Sequence, residues 1–296
     1  MKDIRSYDTF LKIEPVNKGW SSDKKYCIQT TDGKILLLRV ADASLYEQKK
    51  AEFEIMKKVA ALGVPMSQPI EFGTCDGGKN VYSLLSWCDG EDAMEALPRL
   101  TEAKQYELGI ESGKILRTIH SIEAPKDQEE WGVRFNRKTS IKIEKYKACG
   151  IQFEGDHHIL EYIENNRHLL TGRPQCYQHG DYHVGNMILS SDHKLSIIDF
   201  NRSDFGDPWE EFNRIVWCAS VSPHFATGQL NGYFGGTPPI EFFKLLAFYI
   251  ASNSLSSIYW AIQFGDEEVT VMKNQAKDVL GWYGDMMNVV PGWYLG

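Results

Sequence analysis

Residues 178–200 read QHGDYHVGNMILSSDHKLSIIDF, and this stretch carries the main fold signal of the chain. Apolar residues follow Asn186, a polar run reads as a turn, and a second apolar segment leads into Asp199, so the pattern predicts a β-hairpin. A turn centred between Asp192 and His193 would place Asn186 directly opposite Asp199. Paired residues share a face with Cβ atoms about 4.5–5.5 Å apart, so an amide oxygen and a carboxylate could share one cation there.

Asp181 lies just before this hairpin, and the three polar side chains together fit the needs of phosphoryl transfer. The transition state requires Mg²⁺ on the phosphate oxygens and an Asp that orients the attacking hydroxyl. The spacing therefore predicts Asp181 as the catalytic base, with Asn186 and Asp199 as metal ligands. The Asp-x4-Asn interval is that of the protein-kinase catalytic loop, and Asp199-Phe200 begins the kinase Asp-Phe-Gly pattern, with Asn201 in place of glycine. The alternative is that these residues only satisfy backbone groups of turns.

Composition describes an ordinary globular chain. Of its 296 residues 43% are hydrophobic, and the formal net charge of -8 argues against a nucleic-acid partner, which is bound by clustered Lys and Arg. The six cysteines show neither paired spacing nor a metal pattern, so we expect a reducing, cytoplasmic compartment. The start of the chain has no apolar signal segment, and residues 242–264 are interrupted by Lys244 and Asn253, so we expect a core helix and no membrane association.

The pattern of secondary structure changes early in the chain. Short strand-like runs come first, with one helix at about residues 44–61, and helical patterns follow, including one that Thr101 can cap. We therefore expect an α+β chain. Its first part, residues 1–88, would be a small antiparallel sheet with one helix, and its second part, residues 89–296, would be larger and mainly helical. Residues 86–90 form the joint.

Two charged residues of the first part are predicted in apolar surroundings. Arg39 lies inside an apolar strand, and Glu52 lies on the face that its helix would bury, where an unpaired carboxylate is costly. We predict that Arg39 pairs with Glu52 and grips nucleotide phosphates through its guanidinium fork. The alternative is a solvated arginine beside a surface glutamate.

Two glycine-containing runs bear on phosphate binding. The run GWSS at 19–22 precedes a predicted strand and is a candidate phosphate-covering loop, in which the hydroxyls of Ser21 and Ser22 and backbone N–H groups are donors. A plain hairpin turn is the alternative. Residues 73–80 nearly spell a P-loop, but Asn stands where Ser or Thr should hold Mg²⁺, and a strand follows where a helix is needed. We predict a hairpin turn there.

The runs at 178–186, 197–202 and 206–208 resemble the aminoglycoside phosphotransferase family, which has a protein-kinase-like fold of two lobes. That family also includes kinases for choline, homoserine, fructosamine, methylthioribose and macrolides. The resemblance covers most of the chain. It implies ATP or GTP as the phosphate donor, Mg²⁺ as the metal, and the same roles for the base and the two metal ligands.

The resemblance also implies a purine site at the joint. Ser86 and Cys88 would bind the base through backbone groups, with Leu85 behind the ring. The family usually carries Lys at the position of Arg39. This departure bears on phosphate binding and turnover, and it leaves the catalytic loop unchanged.

Arg202 and His183 are candidate substrate contacts beside the base. Arg202 matches a basic residue that follows the metal-binding Asp in several members of the family, and it either touches the transferred phosphate or pairs with a nearby Asp. His183, like His179, is expected mainly to fix the loop, because Asp181 already supplies the base.

The acceptor site has the weakest sequence signal. Asp266, Glu267 and Glu268 are candidates to meet the ammonium groups of a polyamine antibiotic. A solvated acidic start of a helix is the alternative.

Three functions are compatible with these residues, and the pattern favours a nucleotide-dependent kinase of a small-molecule hydroxyl. A nucleotide-binding regulator with weak catalysis is suggested by Arg39, and a metal-assisted hydrolase would need a second cluster of metal ligands. The acceptor is either an antibiotic such as an aminoglycoside or a metabolite such as choline, homoserine or a sugar derivative. We expect a monomer or a homodimer.

Overall fold

The computed structural model of the protein describes residues 1–17 and 23–296. Ser21 and Ser22 of the candidate phosphate loop therefore lie outside the described residues. In chain order the strands are β1 (Phe10–Pro15), β2 (Lys24–Thr30), β3 (Ile35–Asp42), β4 (Pro69–Cys75), β5 (Asn80–Ser86), β6 (Glu91–Asp92), β7 (Cys176–Gln178), β8 (Met187–Leu189), β9 (Leu195–Ile197) and β10 (Asp204–Gly206). The α-helices are α1 (Tyr46–Ala61), α2 (Ala93–Ala96), α3 (Glu102–Ile119), α4 (Trp131–Ala148), α5 (Asp156–Asn166), α6 (Ile215–Val221), α7 (Pro223–Phe234), α8 (Ile240–Ala261) and α9 (Asp266–Tyr283).

The first compact unit combines Met1–Asp92 with Met187–Asn201. Its five-stranded antiparallel sheet has the order β1-β2-β3-β5-β4, and α1 packs on β4 and β5. Alternate residues of a strand face opposite sides of the sheet. Leu38 and Val40 of β3 are therefore buried in the core, while Arg39 faces the other side. The predicted antiparallel sheet with one helix is confirmed.

The hairpin β8–β9 belongs to this first unit. It pairs through β8 with β6, and the N–H of Ile197 donates to the carbonyl of Pro65 at 2.8 Å. These bonds explain why residues 187–201 join the sheet unit, although the predicted division assigned all of 89–296 to the helical part.

The register of this hairpin differs from the prediction by one residue. Met187 pairs with Ile197, whereas the predicted turn would have paired Met187 with Ile198. The ladder ends at the observed pair. Asn186 and Asp199 therefore lie outside it, and their predicted strand pairing is wrong.

The length of the turn causes this shift. Residues 191–193 form the loop, because the N–H of Ser190 donates to the carbonyl of Lys194 at 3.0 Å, and His193 takes φ +58°. A type I turn followed by a left-handed residue is usual for three-residue loops, and an odd loop moves the register by one residue. Glycine is expected at the left-handed position. Because a histidine stands there, the three-residue turn was not recognisable from the sequence.

The second compact unit combines Ala93–Asn186 with Arg202–Gly296 and is mainly helical, as predicted. Its central helix is α8, which packs against α4, α5 and α9. By length and composition the segment Ile240–Phe264 could cross a membrane, but 67% of its most apolar window is buried. It is the core helix that the sequence predicts.

Helices α3 and α7 of this unit pack against each other along glycines. Gly109 and Gly113 of α3 contact the α7 backbone at Gly228 and Gly232, and a Cβ on Gly113 would lie 2.1 Å from the carbonyl oxygen of Gln229. The Gly-x3-Gly spacing in both helices permits this backbone contact, because no larger residue fits.

Gly113→Ala should lower the free energy of unfolding by about 1–3 kcal/mol, the usual cost of overpacking. Urea unfolding measures the change. The matched control is Gly281→Ala in α9, where an added Cβ meets nothing within 4 Å. Alanine should stabilise that helix by up to about 1 kcal/mol. Equal effects of the two variants would contradict the packing described here.

Candidate active site

Strand β7 leads into residues 179–186 of the second unit, the predicted catalytic loop. It pairs antiparallel with β10, and the chain leaves it through His179 and Gly180. Gly180 has φ +84°, and a Cβ there would lie 2.0 Å from the carbonyl oxygen of Arg202. Only glycine fits this position. The loop therefore starts from a fixed point one residue before Asp181.

A buried carboxylate holds the backbone on both sides of Asp181. Glu211 is 1% exposed, and its Oε1 accepts the N–H of Gly180 at 2.9 Å and the N–H of Tyr182 at 3.4 Å. His120 Nε2 lies 3.7 Å from the other oxygen, too far for a hydrogen bond. Burial raises the pKa of Glu211, but the nearby histidines and the Gly180 N–H outweigh it, so this pKa lies below its ordinary value.

Tyr182 ties the same loop to the glycine-packed helices. Its hydroxyl donates to the carbonyl of Ser112 at 2.8 Å and accepts from the Ser112 hydroxyl at 3.2 Å. The side-chain nitrogen of Gln229 in α7 donates to the hydroxyl oxygen of Ser112 at 2.9 Å. Neither Tyr182 nor Glu211 was predicted as a site residue. The available signal was the acidic pair Glu210-Glu211, which lies shortly before the apolar start of α6 at Ile215.

Asp181 lies among two arginines and a histidine. Its Oδ1 is 3.3 Å from Arg214 Nε and 3.6 Å from His183 Nε2, and its Oδ2 is 3.7 Å from Arg202 Nη1. Burial raises the pKa of Asp181, but the neighbouring charges, Arg214 first, outweigh that effect and hold the pKa below its ordinary value. The carboxylate is therefore ionised at neutral pH, as a proton acceptor must be.

His183 is neutral and fixes the loop. Its Nδ1 accepts the N–H of Gly185 at 3.1 Å, so the proton is on Nε2, which faces Asp181. Burial is the largest influence on its pKa and lowers it to about 4, although Asp181 opposes the shift. The imidazole is uncharged above that pH. The arginines therefore supply the positive charge beside Asp181.

Asn186 ends the catalytic loop in a short 3-10 helix, Val184–Asn186. Its backbone N–H donates to the carbonyl of His183 at 2.9 Å, and its side-chain nitrogen donates to the carbonyl of Asp181 at 2.9 Å. The nitrogen is used as a donor, so the side-chain oxygen is the atom suited to a cation.

In the first unit, Arg39 connects two carboxylates. Its Nε and Nη2 donate to Asp23 Oδ2 at 3.1 and 2.8 Å, and its Nη1 donates to Asp199 Oδ1 at 3.0 Å. Burial raises the pKa of Asp23, but the charges of Arg39 and Lys49 bring it below its ordinary value. Asp199 takes φ +67°, a left-handed conformation that Asp tolerates. The structure thus brings the predicted phosphate-binding cation to the predicted metal ligand.

The predicted pairing of Arg39 with Glu52 is wrong. Glu52 accepts a hydrogen bond from Lys49 of its own helix at 3.1 Å, and Asp23 takes the predicted place beside Arg39. Phe53 marks the buried face of α1, so Glu52 lies beside that face and remains partly exposed. Lys49 also donates to Asp23 at 3.1 Å. Hydrogen bonds therefore connect Arg39, Asp23, Lys49 and Glu52 in that order.

The joint residues differ in how their polar groups are used. The N–H of Ser86 donates to the carbonyl of Gln68 at 2.9 Å, and Leu85 is buried. The Sγ of Cys88 lies 3.3 Å from the hydroxyl of Ser67, and burial raises the pKa of this thiol. Within the described residues the backbone N–H of Cys88 makes no hydrogen bond.

The acidic run at 266–268 forms the first turn of α9. Asp266 and Glu267 are exposed there, where carboxylates complement the helix dipole. No hydrogen bond or ion pair joins the run to Asp181 in the parts of the chain that the structure describes. Arg202, by contrast, lies beside Asp181, which agrees with the second of its two predicted roles.

A family model described as the phosphotransferase enzyme family matches residues 12–243. The chain belongs to this family. It is a phosphotransferase with a protein-kinase-like fold. No curated protein matches the chain.

Solved structures with the same fold are distant in sequence. A choline/ethanolamine kinase family protein from Mesorhizobium loti is 16% identical with a TM-score of 0.68, over 100% of this chain and 97% of that chain. An ADP-bound aminoglycoside phosphotransferase is 16% identical with a TM-score of 0.62, over 91% of this chain and 94% of that chain. An amicoumacin kinase with AMP-PNP and Ca²⁺ is 14% identical with a TM-score of 0.63, over 94% and 90%.

Glu211→Gln should disturb the catalytic loop, because an amide nitrogen would replace one of the oxygens that face the Gly180 N–H. We expect a loss of stability of about 1.5–3 kcal/mol, as for a buried charged hydrogen bond. Turnover should fall by about 10–100-fold, since small displacements of a base are costly. Glu164→Gln, at an exposed pair with Arg167, is the control and should change neither. Unchanged turnover in Glu211→Gln would contradict the positioning role.

Proposed function

We propose that this phosphotransferase moves the γ-phosphoryl group of ATP or GTP to a hydroxyl of a small molecule, with Mg²⁺ as cofactor. The observation that carries the proposal is the setting of Asp181. Its backbone lies between two N–H groups that bind Glu211, and its carboxylate is ionised beside Arg214. A fixed, ionised carboxylate is what orients the attacking hydroxyl in this chemistry.

In the proposed step, Asp181 accepts a hydrogen bond from the acceptor hydroxyl and then takes its proton. The acceptor oxygen forms a bond to the γ-phosphorus, while the bond between that phosphorus and the β–γ bridging oxygen breaks. The nucleoside diphosphate leaves with the bonding electrons. Arg214 and Arg202 keep Asp181 ionised before the transfer.

Asn186 and Asp199 are the proposed Mg²⁺ ligands. Amide and carboxylate oxygens are hard donors, and sites that also use nucleotide phosphates need only one or two carboxylates from the protein. Bound Mg²⁺ would neutralise charge on the phosphate oxygens. The described residues contain no group of three or more His, Cys, Asp or Glu side chains placed to hold a metal ion. The hydrolase alternative, which needs a second ligand cluster, therefore has no support.

Arg39 is the proposed phosphate-binding cation. Asp23 holds its guanidinium in place, and an arginine fork can contact two phosphate oxygens where a lysine supplies a point charge. We further propose that Ser86 and Cys88 bind the purine through backbone groups, with Leu85 behind the ring. Within the described residues the N–H of Cys88 has no acceptor, which supports this assignment.

The acceptor does not follow from the fold. Structures of this fold contain acceptors as different as gentamicin and hygromycin B. An aminoglycoside or related antibiotic and a metabolite such as choline, homoserine or a sugar derivative are the candidates.

We propose a monomer or homodimer with no nucleic-acid or membrane partner. The free thiols of all six cysteines support a reducing, cytoplasmic location.

Asp181→Asn should lower turnover by about 10²–10⁴-fold, the usual contribution of a general base. Mg²⁺-nucleotide binding should remain, because Asp181 is not a proposed metal ligand. Nucleotide consumption and calorimetric binding measure the two effects in one preparation. Asp192→Asn, in the exposed turn of the hairpin, is the matched control. Equal turnover in both variants would refute the role of Asp181.

Asn186→Ala and Asp199→Asn should raise the Mg²⁺ concentration needed for half-maximal turnover by about tenfold or more, because each removes a proposed ligand. Titrating turnover with Mg²⁺ measures the change. A regulator with weak catalysis would behave differently, since the wild-type chain would consume no nucleotide with any acceptor. An unchanged Mg²⁺ requirement would remove these residues from the metal site.

A further inference from the structure

Two arginines face Asp181, and the guanidinium nitrogens nearest to its carboxylate form no hydrogen bond with it. Arg214 Nε lies 3.3 Å from Asp181 Oδ1, yet this buried nitrogen makes no hydrogen bond within the described residues. Arg202 Nη1 lies 3.7 Å from the other oxygen, beyond hydrogen-bond distance. A buried donor without an acceptor needs an explanation, and a ligand that is bound there during function is one.

Arg173 shows how a satisfied arginine is held in the same unit. Its Nε and Nη2 donate to both oxygens of Asp207 at 2.7 and 3.0 Å, and Asp207 is completely buried. Both carboxylate oxygens of Asp207 are therefore used in that pair. The pair at Asp181 is open, because Arg214 and Arg202 keep 23% and 41% of their side chains exposed.

A third basic side chain interacts electrostatically with Arg214. Lys142 of α4 is half-buried, and its Nζ donates to the hydroxyl of Ser252 at 3.4 Å. Burial, with the positive charges of Lys138 and Arg214, lowers the pKa of Lys142 to about 7, and Glu210 opposes the shift. Lys142 is therefore within electrostatic range of Arg214, and a bound anion would favour its charged form.

The charge next to the Asp181 carboxylate is positive, because two guanidinium groups face this one carboxylate. Glu211 is a further anion nearby, and its oxygens bind N–H groups of the loop backbone. A polyamine such as an aminoglycoside would be repelled from these arginines. A carboxylate or a phosphate group would be attracted and would match the guanidinium fork.

We propose that the acceptor carries an anionic group, a carboxylate or a phosphate, near the hydroxyl that is phosphorylated, and that Arg214 binds this group with help from Arg202. The inference rests on the proposed function, because it assigns the acceptor of that transfer. The anion would satisfy the guanidinium donors. Asp181 would then be left to accept the hydrogen bond of the hydroxyl, and Arg214 would select acceptors by charge.

Binding of inorganic phosphate tests the site without knowledge of the acceptor. The nucleotide site is first filled with Mg²⁺ and a non-hydrolysable nucleotide, and phosphate binding is then followed by ³¹P NMR. We expect Arg214→Met to weaken it at least about tenfold, as for the loss of one charged hydrogen bond. Arg214→Lys should restore part of it, because the charge returns without the fork. Arg137→Met, at an exposed pair with Glu129, should leave it unchanged.

Matched compounds then separate carboxylate from phosphate. Lactate should bind more tightly than lactamide if a carboxylate is preferred, and glycerol 3-phosphate more tightly than glycerol if a phosphate is preferred. Either preference should disappear in Arg214→Met. Phosphate binding that is absent, or equal in wild type and Arg214→Met, would overturn the inference. Preference for the neutral member of both pairs would also overturn it.

Asp181→Asn separates this inference from the proposed function. The variant should still bind phosphate, because it keeps both arginines. If phosphate binding depends on Arg214 while nucleotide consumption is independent of Asp181, the proposed transfer is refuted and an anion site remains. If consumption depends on Asp181 but phosphate binding ignores Arg214, only the inference about the acceptor is refuted.

Discussion

The hydrogen bonds from two backbone N–H groups to the buried carboxylate of Glu211 hold the catalytic loop. Gly180 and Tyr182 donate them from either side of Asp181, so the direction of the Asp181 side chain is set by the backbone. Burying a carboxylate is costly unless it is hydrogen-bonded. Here the loop itself supplies the bonds. The same loop is anchored through the Tyr182 hydroxyl to Ser112, on a helix pair whose close approach needs glycine.

Carboxylate–arginine pairs serve two different purposes in this chain. Arg173 and Asp207 form a bidentate pair in which both carboxylate oxygens accept hydrogen bonds from the guanidinium. Within the described residues Arg214 approaches Asp181 without a hydrogen bond. The first pair is structural, because both carboxylate oxygens are used. The second holds Asp181 ionised, and in the proposed function it leaves guanidinium donors for the acceptor.

Local signals in the sequence predicted much of the fold, and tertiary contacts account for the misses. Strand alternation and turn residues predicted the hairpin before Asp199, but the left-handed His193 concealed an odd turn and shifted the register. The partner of Arg39 was missed because sheet register sets it. Pairing of Lys25 with Arg39 brings Asp23 to the same side of the sheet. Burial of Glu211 likewise depends on contacts with distant residues.

The fate of a labelled γ-phosphoryl group decides whether this chain transfers phosphate to a hydroxyl. The wild-type chain would be incubated with Mg²⁺, γ-labelled ATP or GTP, and a panel of hydroxyl compounds, and the label would be followed in the products. We expect the label to appear in a phosphoester of an acceptor. Label found only in inorganic phosphate, or remaining on the nucleotide with every acceptor, would contradict it.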